Sequence, residues 1–159
     1  DGHRYELVDG TLIVSPAPRT RHQRAAFRLG VLLDRGCPDD LEVFLAPFDV
    51  ELAEDTVLQP DLLVARRSDL TERGLPVAPV LSVEVLSPST RRVDLTLKRS
   101  RFEQAGCPSY WVVDPDQPAL TAWELRDGGY VEIAHPTGAE QFHPTHPYDL
   151  TFSPNDLTD

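Results

Sequence analysis

Two carboxylates lie inside aliphatic runs of the sequence, where an acid is unusual. Asp61 follows Pro60 within the segment Val57–Val64, and Glu84 lies within Val80–Leu86. A carboxylate on an inner strand loses its hydration, at a cost of several kcal/mol unless a cation or a metal ion compensates. Two such acids on successive predicted strands indicate a shared partner. The residues alone leave two interpretations open, a structural salt bridge or a metal site.

The helix predicted after the Glu84 strand carries a third chemically useful group. Asp94 and Lys98 are four residues apart and share a helix face, which Arg101 continues. Because that helix packs back on the sheet, Lys98 could approach Glu84. The alternative is an exposed Asp94–Lys98 pair, which is common and contributes little.

His22 and Glu6 are further candidates for a secondary site, together with Asp94. His22 lies three and seven residues before Ala25 and Leu29, on the inward stripe of its predicted helix. It is therefore either a histidine at the edge of the core or a residue near a bound phosphate. Glu6 is either a further metal ligand or a solvated acid of a hairpin.

The order of elements that must position these residues predicts an α/β fold, a mixed β-sheet flanked by helices. Asp9-Gly10 between apolar runs is a strong two-residue turn signal, so the chain opens with an N-terminal hairpin. A C-terminal hairpin turns at Asp127-Gly128-Gly129, and the tail from His135 is predicted to be a proline-rich loop. Between the hairpins we predict a helix over residues 20–34, strands over 42–52, 57–65 and 79–86, a helix ending near 105, and a strand over 109–115.

Composition limits the class of protein. The chain has 159 residues, which predicts one domain over residues 1–159, and its net charge is −11. Such a charge disfavours a general DNA-coating protein, because non-specific affinity for nucleic acid comes mainly from Lys and Arg. Cys37 and Cys107 have no metal-ligand spacing and are expected to be free thiols, which fits the cytoplasm. No apolar stretch approaches the roughly 20 residues that span a bilayer, so no membrane association is expected.

An ordered set of motifs covers nearly the whole chain. Its segments are Tyr5–Gly10, Ser15–Pro18 with His22, Gln59–Val64, Val83–Thr90, Asp94-Leu95 with Lys98, and Gly106–Pro115. This ordered set, which is more specific than any one motif, resembles the Uma2 family of restriction-endonuclease-like proteins, which belongs to the PD-(D/E)XK superfamily.

The resemblance implies a restriction-endonuclease-like core in which Asp61 and Glu84 are the metal-binding acids. The usual pattern places a lysine two residues after the glutamate, but that position is Leu86 here. Lys98 on the next helix is the matching candidate for the lysine.

The expected activity is that of an endonuclease that hydrolyses DNA with Mg²⁺ or Mn²⁺. The metal is expected on Asp61, Glu84 and the backbone carbonyl of Val85, with Lys98 at the attacking water or the developing negative charge. One alternative is a non-catalytic, dimeric interaction module that keeps the fold, and a remoter one is a hydrolase of small phosphate esters. A homodimer is expected only by analogy with restriction-type nucleases.

Overall fold

The computed structural model of the chain describes residues 2–88 and 92–158, with the backbone alone for residues 92–94. These ranges contain ten β-strands and two α-helices. The helices are α1 (Thr20–Gly36) and α2 (Arg92–Gln104). The strands are β1 (Arg4–Val8), β2 (Thr11–Ser15), β3 (Leu41–Leu45), β4 (Val50–Ala53), β5 (Thr56–Leu58), β6 (Leu62–Arg66), β7 (Leu81–Val85), β8 (Ser109–Asp114), β9 (Ala119–Arg126) and β10 (Gly129–Ala134).

The strands form two sheets. The larger sheet has the order β10-β9-β8-β7-β6-β3, and the smaller has the order β2-β1-β5-β4. The β7–β8 pair is parallel and the other pairs of the large sheet are antiparallel, so this sheet is mixed. The α/β architecture predicted from the sequence is confirmed.

Both predicted hairpins are present. Asp9 and Gly10 have φ values of 51° and 80°, and Asp127 and Gly128 have φ values of 52° and 81°. Two successive residues with positive φ form a type I′ turn, whose twist matches that of the flanking strands. The turns therefore fix the register of β1 against β2 and of β9 against β10.

Two of the predicted strands are wrong as continuous elements. The predicted strand 42–52 is β3 and β4, which are separated at residues 46–49 and lie in different sheets. The predicted strand 57–65 is likewise β5 and β6, separated at residues 59–61. A proline lies in each gap and cannot donate a backbone hydrogen bond to a ladder, so each aliphatic run leaves one sheet and enters the other. The third predicted strand agrees with β7.

The large sheet has a hydrophobic cluster on each face. On β6, Leu62 and Val64 pack with Leu29 of α1, while Leu63 on the opposite face packs with Phe102 of α2 and with the small sheet. Alternation along β7 points Val83 and Val85 toward the α1 side and Glu84 toward the α2 side. Glu84 therefore faces the layer that contains Lys98.

The tail after β10 is mostly loop, as predicted, but part of it is packed into the core. Its apolar residues Phe142, Tyr148, Phe152 and Leu157 are buried, and a 3-10 helix covers Pro154–Leu157. The ring of Phe142 lies 5.2 Å from that of Trp111, so the tail closes the core on the α1 face.

Cys37 and Cys107 are both free, as predicted. Neither helix within residues 2–88 and 92–158 has the length and apolar composition needed to cross a bilayer.

Candidate active site

Asp61 lies at the break between the two sheets, immediately before β6. Pro60 prevents regular pairing there, and the backbone carbonyl of Asp61 accepts a hydrogen bond from Ala46 N–H at 3.1 Å. The side chain is 3% exposed in spite of its charge. The same interruption that divides the aliphatic run thus aims one carboxylate into the protein.

Both oxygens of the Asp61 carboxylate have donors. Oδ2 accepts the backbone N–H of Val85 at 2.7 Å, and Oδ1 is 3.1 Å from Nε2 of His22 and in contact with the guanidinium of Arg4. Burial raises the pKa of Asp61, but the hydrogen bond from His22 and the charge of Arg4 outweigh it and lower the pKa to about 2. Asp61 is therefore ionised at neutral pH.

Glu84 is in the opposite situation. It is 4% exposed, and its Oε1 atom has no hydrogen-bond partner among the described residues. Burial raises the pKa of Glu84 well above its usual value, and the charges of Asp61 and Glu6 add to this while Lys98 opposes it. A buried carboxyl oxygen without a donor is costly, and such groups in native proteins call for an explanation.

Lys98 reaches the site from α2 and is held by the N-terminal hairpin. Its Nζ atom donates to Oε1 of Glu6 at 2.6 Å, and Oε2 of Glu6 accepts the backbone N–H of Gln59 at 2.8 Å. Burial lowers the pKa of Lys98, but the charges of Glu84 and Glu6 outweigh it and raise the pKa above its usual value. Lys98 is therefore a fixed cation, and Glu6 positions it.

Glu6 is 1% exposed, so it is not the solvated hairpin acid that the sequence allowed. Its contacts with Lys98 and Gln59 support a role in positioning Lys98, and its role as a further metal ligand stays a prediction. His22 does lie on the buried stripe of α1, with Nε2 at Asp61 and with no partner for Nδ1 among the described residues. The side chain of Asp94 lies outside the part of the chain that the structure describes.

The predicted residues Asp61, Glu84 and Lys98 line one pocket of about 160 Å³. Arg4, Arg19 and His22 also line it, so basic groups surround the acids although the whole chain is strongly acidic. The structure thus brings together three candidates that are remote in sequence.

Arg4 is a site residue that sequence reasoning missed. It begins β1, and its partner Asp61 lies 57 residues further along the chain. An arginine at the start of a strand is typical of an exposed position, and the sequence contains no local signal for this contact.

The donors in the pocket fit a hard cation that keeps part of its hydration. No group of three or more His, Cys, Asp or Glu side chains in the described chain is arranged to hold a metal ion. Mg²⁺, however, usually keeps several waters and needs one or two carboxylates from the protein. Asp61, Glu84 and Glu6 are three acids facing the two permanent cations Arg4 and Lys98, and Oε1 of Glu84 is the oxygen left without a donor. A cation beside Glu84 would compensate this oxygen and favour the ionised form of the carboxyl.

Comparison with known proteins identifies the family of the chain and a solved structure with a similar fold. The sequence profile of the family Uma2, described as "Putative restriction endonuclease", matches residues 1–155. The fold is similar to that of a crystal structure from Anabaena variabilis, described as "a putative nuclease belonging to DUF820". The TM-score is 0.81 at 20% sequence identity, over 96% of this chain and 88% of the other. No curated protein matches the sequence.

Proposed function

Because this chain belongs to the Uma2 family, a family of restriction-endonuclease-like proteins, we propose that its pocket hydrolyses phosphodiester bonds of DNA with Mg²⁺ or Mn²⁺. The observation that carries the proposal is the buried Oε1 of Glu84, without a donor, beside the ionised Asp61 and the charged Lys98. A salt-bridge network that serves only the fold is expected to pair a buried carboxyl oxygen with a donor.

In this proposal the carboxylates of Asp61 and Glu84 and the carbonyl of Val85 would hold the cation. The cation supplies positive charge that polarises the scissile phosphate and lowers the pKa of water. His22 and the N–H of Val85 keep the Asp61 carboxylate oriented and ionised through their contacts with its two oxygens.

Hydrolysis forms a bond between a water oxygen and phosphorus, and it breaks the bond from phosphorus to the leaving oxygen. One proton of that water passes to solvent and the leaving oxygen gains one. Lys98 remains charged throughout, so its role is to stabilise negative charge on the phosphate oxygens rather than to accept a proton. Arg4 provides a second cation at the same pocket.

The first test uses Asp61→Asn, Glu84→Gln and Lys98→Ala. Each variant is expected to lose cleavage of plasmid and single-stranded DNA by at least about 100-fold, a typical loss for one charge-stabilising group. Gel assays with Mn²⁺ measure cleavage, and circular dichroism checks folding. The exposed Arg21, which pairs with Asp116 at 3.1 Å, provides the matched control Arg21→Gln, which is expected to stay active.

Cleavage that persists in all three variants would refute the proposed site. Generic phosphate esters assayed beside DNA separate a nuclease from a hydrolase of small esters.

The alternative of a non-catalytic interaction module is favoured by one observation, the contact of Arg4 with the Asp61 oxygen that the cation would need. Calorimetry with Mn²⁺ distinguishes the two. A nuclease site is expected to bind the ion and to lose it in Asp61→Asn, whereas a module whose site is closed by Arg4 is not expected to bind. The predicted homodimer and cytoplasmic location stay predictions.

A further inference from the structure

We infer that the face of α1 beside Asp61 binds an unpaired nucleobase, with the ring of Phe27 as its stacking surface. The preferred substrate would then be a single-stranded nucleic acid or an unpaired end rather than continuous duplex. This inference rests on the proposed function, since the base belongs to a nucleotide whose phosphate enters the neighbouring pocket.

Phe27 is the most exposed of the large hydrophobic side chains in the described chain, at 62%. It lies off the buried stripe of α1, which is formed by His22, Ala25, Leu29 and Leu33. A single exposed apolar residue is common on protein surfaces and by itself indicates nothing. The environment of Phe27 is what distinguishes it.

Phe27 lines a pocket of about 260 Å³ that adjoins the candidate active site. Ala26 and Leu45 contribute further apolar surface, while Arg4, His22 and Asp61 line both this pocket and the one that contains Glu84. A ligand with a flat apolar part and a phosphate could therefore occupy both pockets at once.

Leu45 lines the same pocket as Phe27, and its position depends on a close approach of β3 to α1. Leu45 is 43% exposed at the end of β3, and a Cβ atom on Gly30 would lie 3.2 Å from its Cδ2 atom. Glycine at position 30 leaves that space to Leu45. The side-chain amide of Gln23, in the same pocket, has both donors and an acceptor, which suits the edge of a base.

The net charge of the chain favours an unpaired base in this pocket over a long duplex or a second copy of the chain. The net charge of −11 opposes binding of a long, highly charged duplex. Stacking on an aromatic ring accepts any base and needs no positive charge. A second copy of the chain would carry the same negative charge and repel the first.

The test compares a short single-stranded oligodeoxythymidylate with an abasic oligomer of equal length, which keeps the phosphates and lacks the bases. Fluorescence anisotropy in chelator measures affinity, and gel assays with Mn²⁺ measure KM. The wild type is expected to prefer the thymidylate by roughly tenfold, the size of one stacking interaction. Phe27→Ala is expected to lose this preference, and Phe27→Trp to keep it.

Val131, 44% exposed on β10, provides the control Val131→Ala, which is expected to keep the preference. The inference is overturned if Phe27→Ala retains the preference for thymidylate, or if it changes only the sedimentation of the protein, as a contact between copies would. In either case cleavage that depends on Lys98 leaves the proposed function intact. Failure of the proposed function itself appears separately, as cleavage that survives in all three variants Asp61→Asn, Glu84→Gln and Lys98→Ala.

Discussion

Burial of the Glu84 carboxyl costs folding free energy, because no donor pairs with its Oε1 atom among the described residues. The folded state keeps a proton on this buried carboxyl to a higher pH than the unfolded chain does, because the pKa of Glu84 is raised. Because of Glu84, the folded protein therefore loses stability as pH rises above the pKa of a glutamate in the unfolded chain, about 4.3. Asp61 has the opposite sign, since its lowered pKa stabilises the fold above about pH 4, and this contribution is lost as pH falls toward 2.

We expect Glu84→Gln to stabilise the protein in chelator at about pH 8 and to have little effect at about pH 4, where the acid is protonated in both states. The neutral amide avoids the cost of an ionised or proton-holding carboxyl. Thermal unfolding measures the effect, with a rise in Tm of about 2–4 °C for each kcal/mol gained.

The exposed Glu132 gives the control Glu132→Gln, for which no such pH-dependent gain is expected. A variant with a lower Tm than the wild type at pH 8 would mean that ionised Glu84 is already well compensated.

At the scale of single residues, the sequence indicates the buried acids Asp61 and Glu84 but not the cations that lie beside them. Asp61 and Glu84 could be found because a carboxylate among aliphatic residues is expensive wherever it folds. Lys98 needed the family resemblance, since its spacing from Asp94 also fits an exposed pair. Arg4 and Phe27 could not be found from the sequence. An arginine at a strand end or a phenylalanine on a helix is common in proteins and does not by itself indicate a site.

Among the elements, the connections between the sheets do most to build the site. The segment Gln59–Asp61 leaves the small sheet and enters the large one, and its first residue donates an N–H to Glu6. The side-chain amide of Gln59 also donates to Asp49 at 2.7 Å. Residues that precede β4 therefore support the turn that delivers Asp61.

Gly74 lies close to the backbone of Asp49, the residue whose side chain accepts the hydrogen bond from Gln59. Its φ is +143°, and a Cβ atom there would overlap the carbonyl oxygen of Asp49. That same oxygen accepts the N–H of Leu75 at 2.9 Å, so the strand pairing between Leu75 and Val50 depends on the contact. The position requires a residue without a side chain.

We expect Gly74→Ala to destabilise the protein by about 2–5 kcal/mol, from backbone strain together with overpacking. Gly128→Ala is the matched control, because Gly128 also has positive φ but no atom within 4 Å of an added Cβ. The control should lose only about 1–2 kcal/mol. Urea unfolding measures both, and equal losses would show that the Asp49 contact yields at no cost.

Element types were predictable where periodicity and turn residues agree, as in α1, β7 and the two hairpins. The division of residues 42–52 and 57–65 was not predicted, because both halves of each run are aliphatic and a buried strand has the same pattern on either side of a break. The prolines at positions 47 and 60 were the available signals. Which sheet each half joins depends on contacts remote in sequence.

At the scale of the whole molecule, cations line the candidate site of a chain whose net charge is negative. The chain carries −11, yet Arg4, Arg19 and Lys98 line the pocket. Three cations can neutralise at most three phosphates, whereas a protein that covers duplex DNA commonly contacts six or more.

We therefore expect a shallow salt dependence for binding of single-stranded DNA. The slope of log affinity against log salt should be about −2, since each phosphate of a single strand contributes roughly −0.7. Anisotropy titrations in chelator over about 50–200 mM KCl measure the slope. A slope of about −5 or steeper would indicate a larger basic surface than this pocket supplies.

The pairing of Asp61 with Arg4 and of Lys98 with Glu6 has a consequence for how the protein tolerates chelation. Zinc fingers unfold when stripped of metal because nothing else offsets their clustered ligands. Here two internal cations already offset two of the three buried acids, so the pocket assembles along with the fold. Under the proposed function, purification in EDTA should yield a folded, inactive protein that becomes active when divalent salt is added, without refolding.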